Sequence, residues 1–172
     1  MTRIILGIDP GGRNTGAVVR AGDDLLAWDL IVRPRTDRAR MPGADYLRTV
    51  VRRCRRLLEQ ADVDPTDSAA YIVGVEGVAY WPEKHVPGKA PRDQRGLYGT
   101  AMVLGAVLLR WPNAVRVDSG RGVANLHGLF YPEPIRPPGV GDDRLRDVRA
   151  AWDHSYAAET LWLQRQRERR TL

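Results

Sequence analysis

Apolar residues run from Ile4 to Ile8, broken only by Gly7, and stop at Asp9. Pro10-Gly11-Gly12 follows, and the chain turns apolar again at Ala17–Val19. Strand, turn and strand is the reading of that pattern. It predicts strands over Arg3–Asp9, Gly16–Arg20 and Leu25–Val32, with Ala21-Gly22-Asp23-Asp24 as the hairpin turn between the last two. Leu47, Val50, Val51, Cys54, Leu57, Leu58 and Ala61 recur at three- and four-residue steps and predict a helix over Ala44–Ala61. Its other face carries Arg48, Arg52, Arg55, Arg56 and Glu59 and is read as solvated. Tyr71–Glu76 is a nearly continuous apolar run of the kind a buried strand has.

Further on, Gly96–Trp111 reads as an apolar helix and Ala114–Asp118 as a fifth strand. Gly120–Leu129 reads as another helix, and the Pro/Gly-rich stretch Tyr131–Gly141 as a loop. Asp142 and Asp143 are expected to cap a last helix, Arg144–Arg167, with a charged, frayed tail over 165–172. The order predicts an α/β fold: a mixed five-stranded sheet, with a three-strand antiparallel meander and two parallel strands added after helical crossovers, flanked by helices.

Composition narrows the picture. With 172 residues, 43% apolar and 28% charged, the chain is expected to form a single domain over 1–172. No apolar run approaches the ~20 residues of a membrane span, and no secretory signal is legible, so a cytoplasmic protein is expected. One cysteine, Cys54, excludes an intrachain disulfide, and it reads as a packed thiol. One cysteine and three scattered histidines argue against zinc. The net charge is +6 and almost all the positive charge is arginine, with lysine only at 84 and 89. Guanidinium pairs with phosphate, so nucleic acid is the expected partner, although a GC-rich genome also enriches arginine.

Two carboxylates end apolar strands. Residues two apart share a strand face, so Gly7 lies beside Asp9 and Gly74 beside Glu76. Glycine leaves the sheet open to a closely packed element. If these strands are neighbours, two repelling carboxylates lie side by side, and a divalent metal is the simplest way to keep both ionised. The alternative for Asp9 is that it only caps the turn. Asp153, flanked one turn away by Ala150 and Ala157, is the third acid selected; Asp147 and Glu159 read as ordinary helix acids.

Three segments carry a family resemblance. Leu6-Gly7-Ile8-Asp9-Pro10-Gly11 with Arg13, Thr15 and Gly16 is one, Val73-Gly74-Val75-Glu76 the second, and Ala150-Ala151-Trp152-Asp153 with Ala157-Ala158 the third. Together they resemble the RuvC-type Holliday junction resolvases of the RNase H-like superfamily, of a bacteriophage or actinobacterial branch. The resemblance implies an RNase H-like fold and a homodimer that cuts four-way DNA junctions with two Mg²⁺ or Mn²⁺ ions. Carried over, Asp9, Glu76 and Asp153 become catalytic metal ligands. The family places an acid or histidine three residues before the last aspartate; here that residue is Ala150. Asp147 or His154 could supply the fourth ligand, with Asp118 an outside candidate. The family also has a supporting basic residue near Arg121.

DNA contacts are expected from the rim. Trp81, Lys84, His85, Lys89 and Arg92 lie in the loop after Glu76, and Arg13 and Arg121 add phosphate-binding charge. Gly96–Trp111 is apolar enough for a dimer interface or a buried core helix. Competing readings are an RNase H-like nuclease for other branched or hybrid nucleic acids, and a non-catalytic junction-binding module. A sugar kinase or actin-like ATPase needs two large lobes and a longer chain.

Overall fold

The computed structural model describes residues 2–37, 39, 41–78, 94–118, 131–136 and 144–171. The sheet is built on β1 (Ile4–Asp9), which pairs antiparallel with β2 (Asn14–Ala21) and parallel with β4 (Tyr71–Gly77). β3 (Asp24–Val32) continues the meander antiparallel to β2, and β5 (Val115–Asp118) adds parallel to β4, giving the order β3-β2-β1-β4-β5. This is the mixed five-stranded sheet the hydrophobic pattern predicts. A register shift between Val19 and Arg20 marks a bulge in the β2–β3 ladder.

Strand alternation divides the core in two. Leu6, Ile8, Ala17, Val19, Val73 and Val75 face one layer of helices, α1 (Ala44–Gln60) and α2 (Gln94–Arg110). Ile5, Val18, Ile72, Val115 and Val117 face α3 (Arg146–Arg170) on the other side. Cys54 is buried on α1 as the periodicity predicts. Of the face read as solvated, Arg48, Arg52, Arg56 and Glu59 are exposed, whereas Arg55 is half-buried. α2 packs on the core through buried Val103 and Val107, whereas Tyr98, Met102 and Leu109 are exposed.

Three boundaries differ from the sequence pattern. β2 begins at Asn14, because pairing with β3 runs down to Asn14 opposite Val32. α3 begins at Arg146 with Leu145 at its cap, and Asp142 and Asp143 lie outside the described residues. The helix then continues through Arg170, so residues 165–170 are helical where a frayed tail was expected. Gln164 donating to Glu168 at 3.2 Å is one side-chain pair along that last stretch. A short 3-10 turn, Glu133–Ile135, occupies part of the predicted Pro/Gly loop, and the predicted helix over 120–129 lies outside the described residues. Among the described residues no helix is long and apolar enough to cross a membrane.

Candidate active site

Asp9 and Glu76 end adjacent parallel strands whose register pairs Gly7 with Gly74 and Ile8 with Val75. Both carboxylates therefore share one sheet face, and it is the face that carries α3. The turn after Asp9 is fixed from below. The buried Thr15 hydroxyl accepts from Gly11 N at 3.3 Å, and the buried Tyr46 hydroxyl lies 3.1 Å from Thr15 Oγ1 and 3.2 Å from Gly11 O. Asp9 thus sits at a rigid strand end.

Three glycines seat α3 on the sheet. A Cβ on Gly16 of β2 would collide with the backbone at Asp147 and Val148. On Gly7 of β1 it would strike Ala151 O and lie 2.8 Å from Ser155 Cβ; on Gly74 of β4 it would strike Ala158. The helix crosses three strands, one glycine per strand, meeting them at Asp147, Ala151 and Ala158 in turn, about one and then two turns further along. This is the close approach that Gly7 and Gly74 predicted.

That seating brings His154 to the carboxylates. Ligand atoms of Asp9, Glu76 and His154 all lie within 4.8 Å of one another, the one such group of three or more among the described residues. His154 Nε2 stands 3.8 Å from Glu76 Oε2. Burial holds the His154 imidazole below its ordinary range, partly opposed by Glu76, which keeps it in the neutral form that binds metal. Asp9 is pushed from 3.8 up to about 9, first by burial, then by hydrogen-bonded contact and like charge with Glu76 and by the charge of Asp147, with Arg146 opposing. Without a cation, this site prefers a proton.

The helix residue grouped with the strand acids differs from the one selected by pattern. Asp153 is buried one residue away, and its Oδ2 accepts from the Tyr131 hydroxyl at 2.7 Å. Adjacent helix residues point about 100° apart, so one of the two reaches Glu76 and the other turns toward Tyr131. Asp147 and His154, named from the sequence as alternatives for the fourth ligand, are seven apart and share a helix face, and the charge of Asp147 helps to raise Asp9. Asp118 ends β5 at the same end of the sheet, but Val115 and Val117 face α3, so strand alternation turns Asp118 to the opposite face. Arg13 is exposed in the turn beyond Asp9. Trp81, Lys84, His85, Lys89, Arg92 and Arg121 lie outside the described residues.

The class this architecture defines is the RNase H-like α/β fold, with acids on the first and fourth strands beneath a C-terminal helix. Within that class it matches two solved structures of RuvC from Thermus thermophilus. One, RuvC in complex with Holliday junction substrate, is 16% identical, with a TM-score of 0.55 over 92% of this chain and 96% of that one. The other RuvC structure is 17% identical, with a TM-score of 0.51 over 91% of this chain and 96% of that one. The fold is therefore RuvC-type. No protein-family model and no curated protein matches the sequence.

Proposed function

We propose that this chain is a divalent-metal-dependent endonuclease for branched DNA, with four-way junctions as substrate. The observation that carries the reading is the convergence of Asp9, Glu76 and His154 at one sheet end of a RuvC-type fold. The donor set fits a divalent cation. Burial and then contact with Glu76 raise Asp9 toward a protonated state, and His154 offers a neutral nitrogen to the same point. Asp147, close enough to act on Asp9, is the fourth candidate ligand and makes room for two ions in the reading.

When bound, Mg²⁺ or Mn²⁺ would supply Lewis acidity for hydrolysis of a phosphodiester. Asp9 and Glu76 hold the charge that fixes the cation, and their rigid strand ends fix its position. His154, buried and neutral, adds a ligand without adding negative charge that would repel the DNA. Arg13, exposed beside the site, meets the phosphate backbone, and the loop bearing Trp81, Lys84, His85, Lys89 and Arg92 is the proposed rim for the branch. Arg121 follows β5 and is assigned the same charge role. Asp153 stays in the reading as a buried acid tied to Tyr131 rather than as the primary metal ligand.

A homodimer belongs to the same reading. Tyr98, Met102 and Leu109 are exposed on α2, and with Gly105 they fall at steps of four, three and four, the spacing of a helix–helix seam. The test of function is cleavage of a labelled four-way junction in Mn²⁺ or Mg²⁺, beside a linear duplex, a flap and an RNA–DNA hybrid. Paired symmetric nicks in the junction, lost in Asp9→Asn, are expected. Preferential cutting of the flap or hybrid moves the function to another branched or hybrid nucleic acid. Junction binding without metal-dependent nicking makes the chain a binding module.

A further inference from the structure

The sequence reading passed over Arg20, which stands in an otherwise apolar strand, Ala17-Val18-Val19-Arg20. It is fully buried, on the face of β2 that carries α3. A buried guanidinium is costly unless its donors are met, and here they are met almost entirely by α3. Nε donates to Ser155 Oγ at 2.6 Å. One terminal nitrogen donates to Ser155 O at 3.1 Å and to Glu159 Oε2 at 2.7 Å, and the other to Gly22 O at 2.7 Å. The guanidinium also lies 3.6 Å from the centre of the Tyr156 ring, whose hydroxyl donates to Asp23 Oδ1 at 2.7 Å in the β2–β3 turn.

These contacts hold α3 by a rigid planar fork at Ser155 and Glu159, one helical turn apart on a single face. The glycine seats at 7, 16 and 74 fix how near the helix lies to the sheet, and buried Val148, Ala151, Trp152 and Ala158 choose the side it turns inward; to these apolar contacts Arg20 adds directional bonds. A fork bonded to one side chain hydroxyl, one carbonyl and one carboxylate narrows the rotation of α3 further. Rotation decides which ligand is offered to Asp9 and Glu76, because Asp153 and His154 stand about 100° apart on the helix. His154 immediately precedes Ser155 in sequence.

We propose that Arg20 is a positioning residue of the metal centre: its fork on Ser155 and Glu159 sets α3 so that His154, and not Asp153, meets the strand carboxylates. The inference rests on the metal reading of the site and adds to it a reason for the identity of the helix ligand. A residue that acts through the seating of α3 changes metal affinity and ligand identity together. A residue that only stabilises the fold changes neither once the protein is folded.

The test compares wild type with Arg20→Met, Arg20→Lys and Ser155→Ala, each first checked for a cooperative thermal transition. Mn²⁺ is the probe, read by calorimetry for affinity and by pulsed electron paramagnetic resonance for nitrogen coupling from imidazole. Wild type is expected to show nitrogen coupling. In Arg20→Met the coupling is expected to vanish and affinity to fall about tenfold or more, the usual scale for groups that orient a ligand. Arg20→Lys keeps the charge without the fork and is expected to recover affinity only in part. Should Arg20→Met not fold, Ser155→Ala removes the Nε partner, together with the hydroxyl's own bond to Trp152 O at 2.6 Å, and is judged by the same readouts. A folded Arg20→Met with wild-type affinity and nitrogen coupling overturns the proposal. The backbone amide shifts of Gly7 and Gly74, beneath Ser155 and Ala158, report the seat of α3 without metal. Their change in Arg20→Met is required, and wild-type shifts there overturn the proposal too. Absence of Mn²⁺ binding in wild type instead overturns the metal reading, and the amide shifts then judge the clamp alone.

Discussion

Asp9→Asn should stabilise the metal-free protein at neutral pH, although it removes a proposed catalytic residue. The Asp9 carboxyl titrates near 3.8 when free and is pushed up to about 9 in the fold. A raised folded pKa means that stability is fully present below the unfolded value and is lost as pH rises toward the folded one. Metal-free wild type should therefore weaken steadily from about pH 4 to about pH 9. At pH 7 the ceiling on that loss is about 4 kcal/mol. Glu76 shares the contact and relaxation softens it, so about 2 kcal/mol is the expected size. Asparagine keeps the shape, carries no charge and can donate to Glu76, so its profile should lack this slope. The assay is urea unfolding in EDTA at pH 4.5, 7 and 8.5, followed by far-ultraviolet circular dichroism. The two proteins should be nearly equal at pH 4.5, and Asp9→Asn should be the more stable at pH 7. With Mn²⁺ at about 100 times its Kd, wild type should gain about 2.7 kcal/mol and the variant far less, which reverses the order. A variant less stable than wild type in EDTA at pH 7 would refute the reasoning, because burial and repulsion would then not be what raises Asp9.

The other predictions concern seating and ligand identity. Gly74→Ala places a methyl against Ala158 and should cost about 1–3 kcal/mol, read as a lower Tm, with weaker Mn²⁺ binding as α3 lifts. His154→Ala should abolish most Mn²⁺ affinity while Asp153→Asn leaves most of it, measured by calorimetry; the opposite order would return the ligand role to Asp153. Burial pushes the Cys54 thiol up to about 12, so iodoacetamide at pH 8 should label it slowly in the native protein and readily in urea, followed by mass spectrometry. Leu109→Glu and Met102→Glu on α2 should convert a dimer to a monomer in light scattering, and a wild type that already runs as a monomer would remove the seam from the reading.

Much of the fold is local in origin, and that part was legible. Alternating burial and a carboxylate at the strand end follow from residues within a few positions of one another, as at Gly7–Asp9 and Gly74–Glu76. The glycines also announced a close helix, because a strand position without a side chain on a buried face is otherwise costly. The boundaries of α3 were less legible, since arginines over 165–170 read equally as helix or as loose tail until the helix is placed.

Which α3 residue meets the strand acids was illegible for a different reason. Periodicity tells which residues share a helix face, but it does not tell which face is turned to the sheet. Asp153 between alanines and His154 beside it are both consistent with an amphipathic α3, and the flanking alanines together with the family resemblance favoured the former. The deciding contacts are long-range: Arg20 bonds residues 135 and 139 positions away. A buried arginine in an apolar strand was the one visible sign that such a contact existed. In the proposed reading it also accounts for a metal set that has alanine at position 150. Once the rotation of α3 is fixed by Ser155 and Glu159, the helix need not place an acid three residues before Asp153. The seven-residue spacing of Asp147 and His154 puts both on one face of α3, so the proposed set draws its helix donors from there.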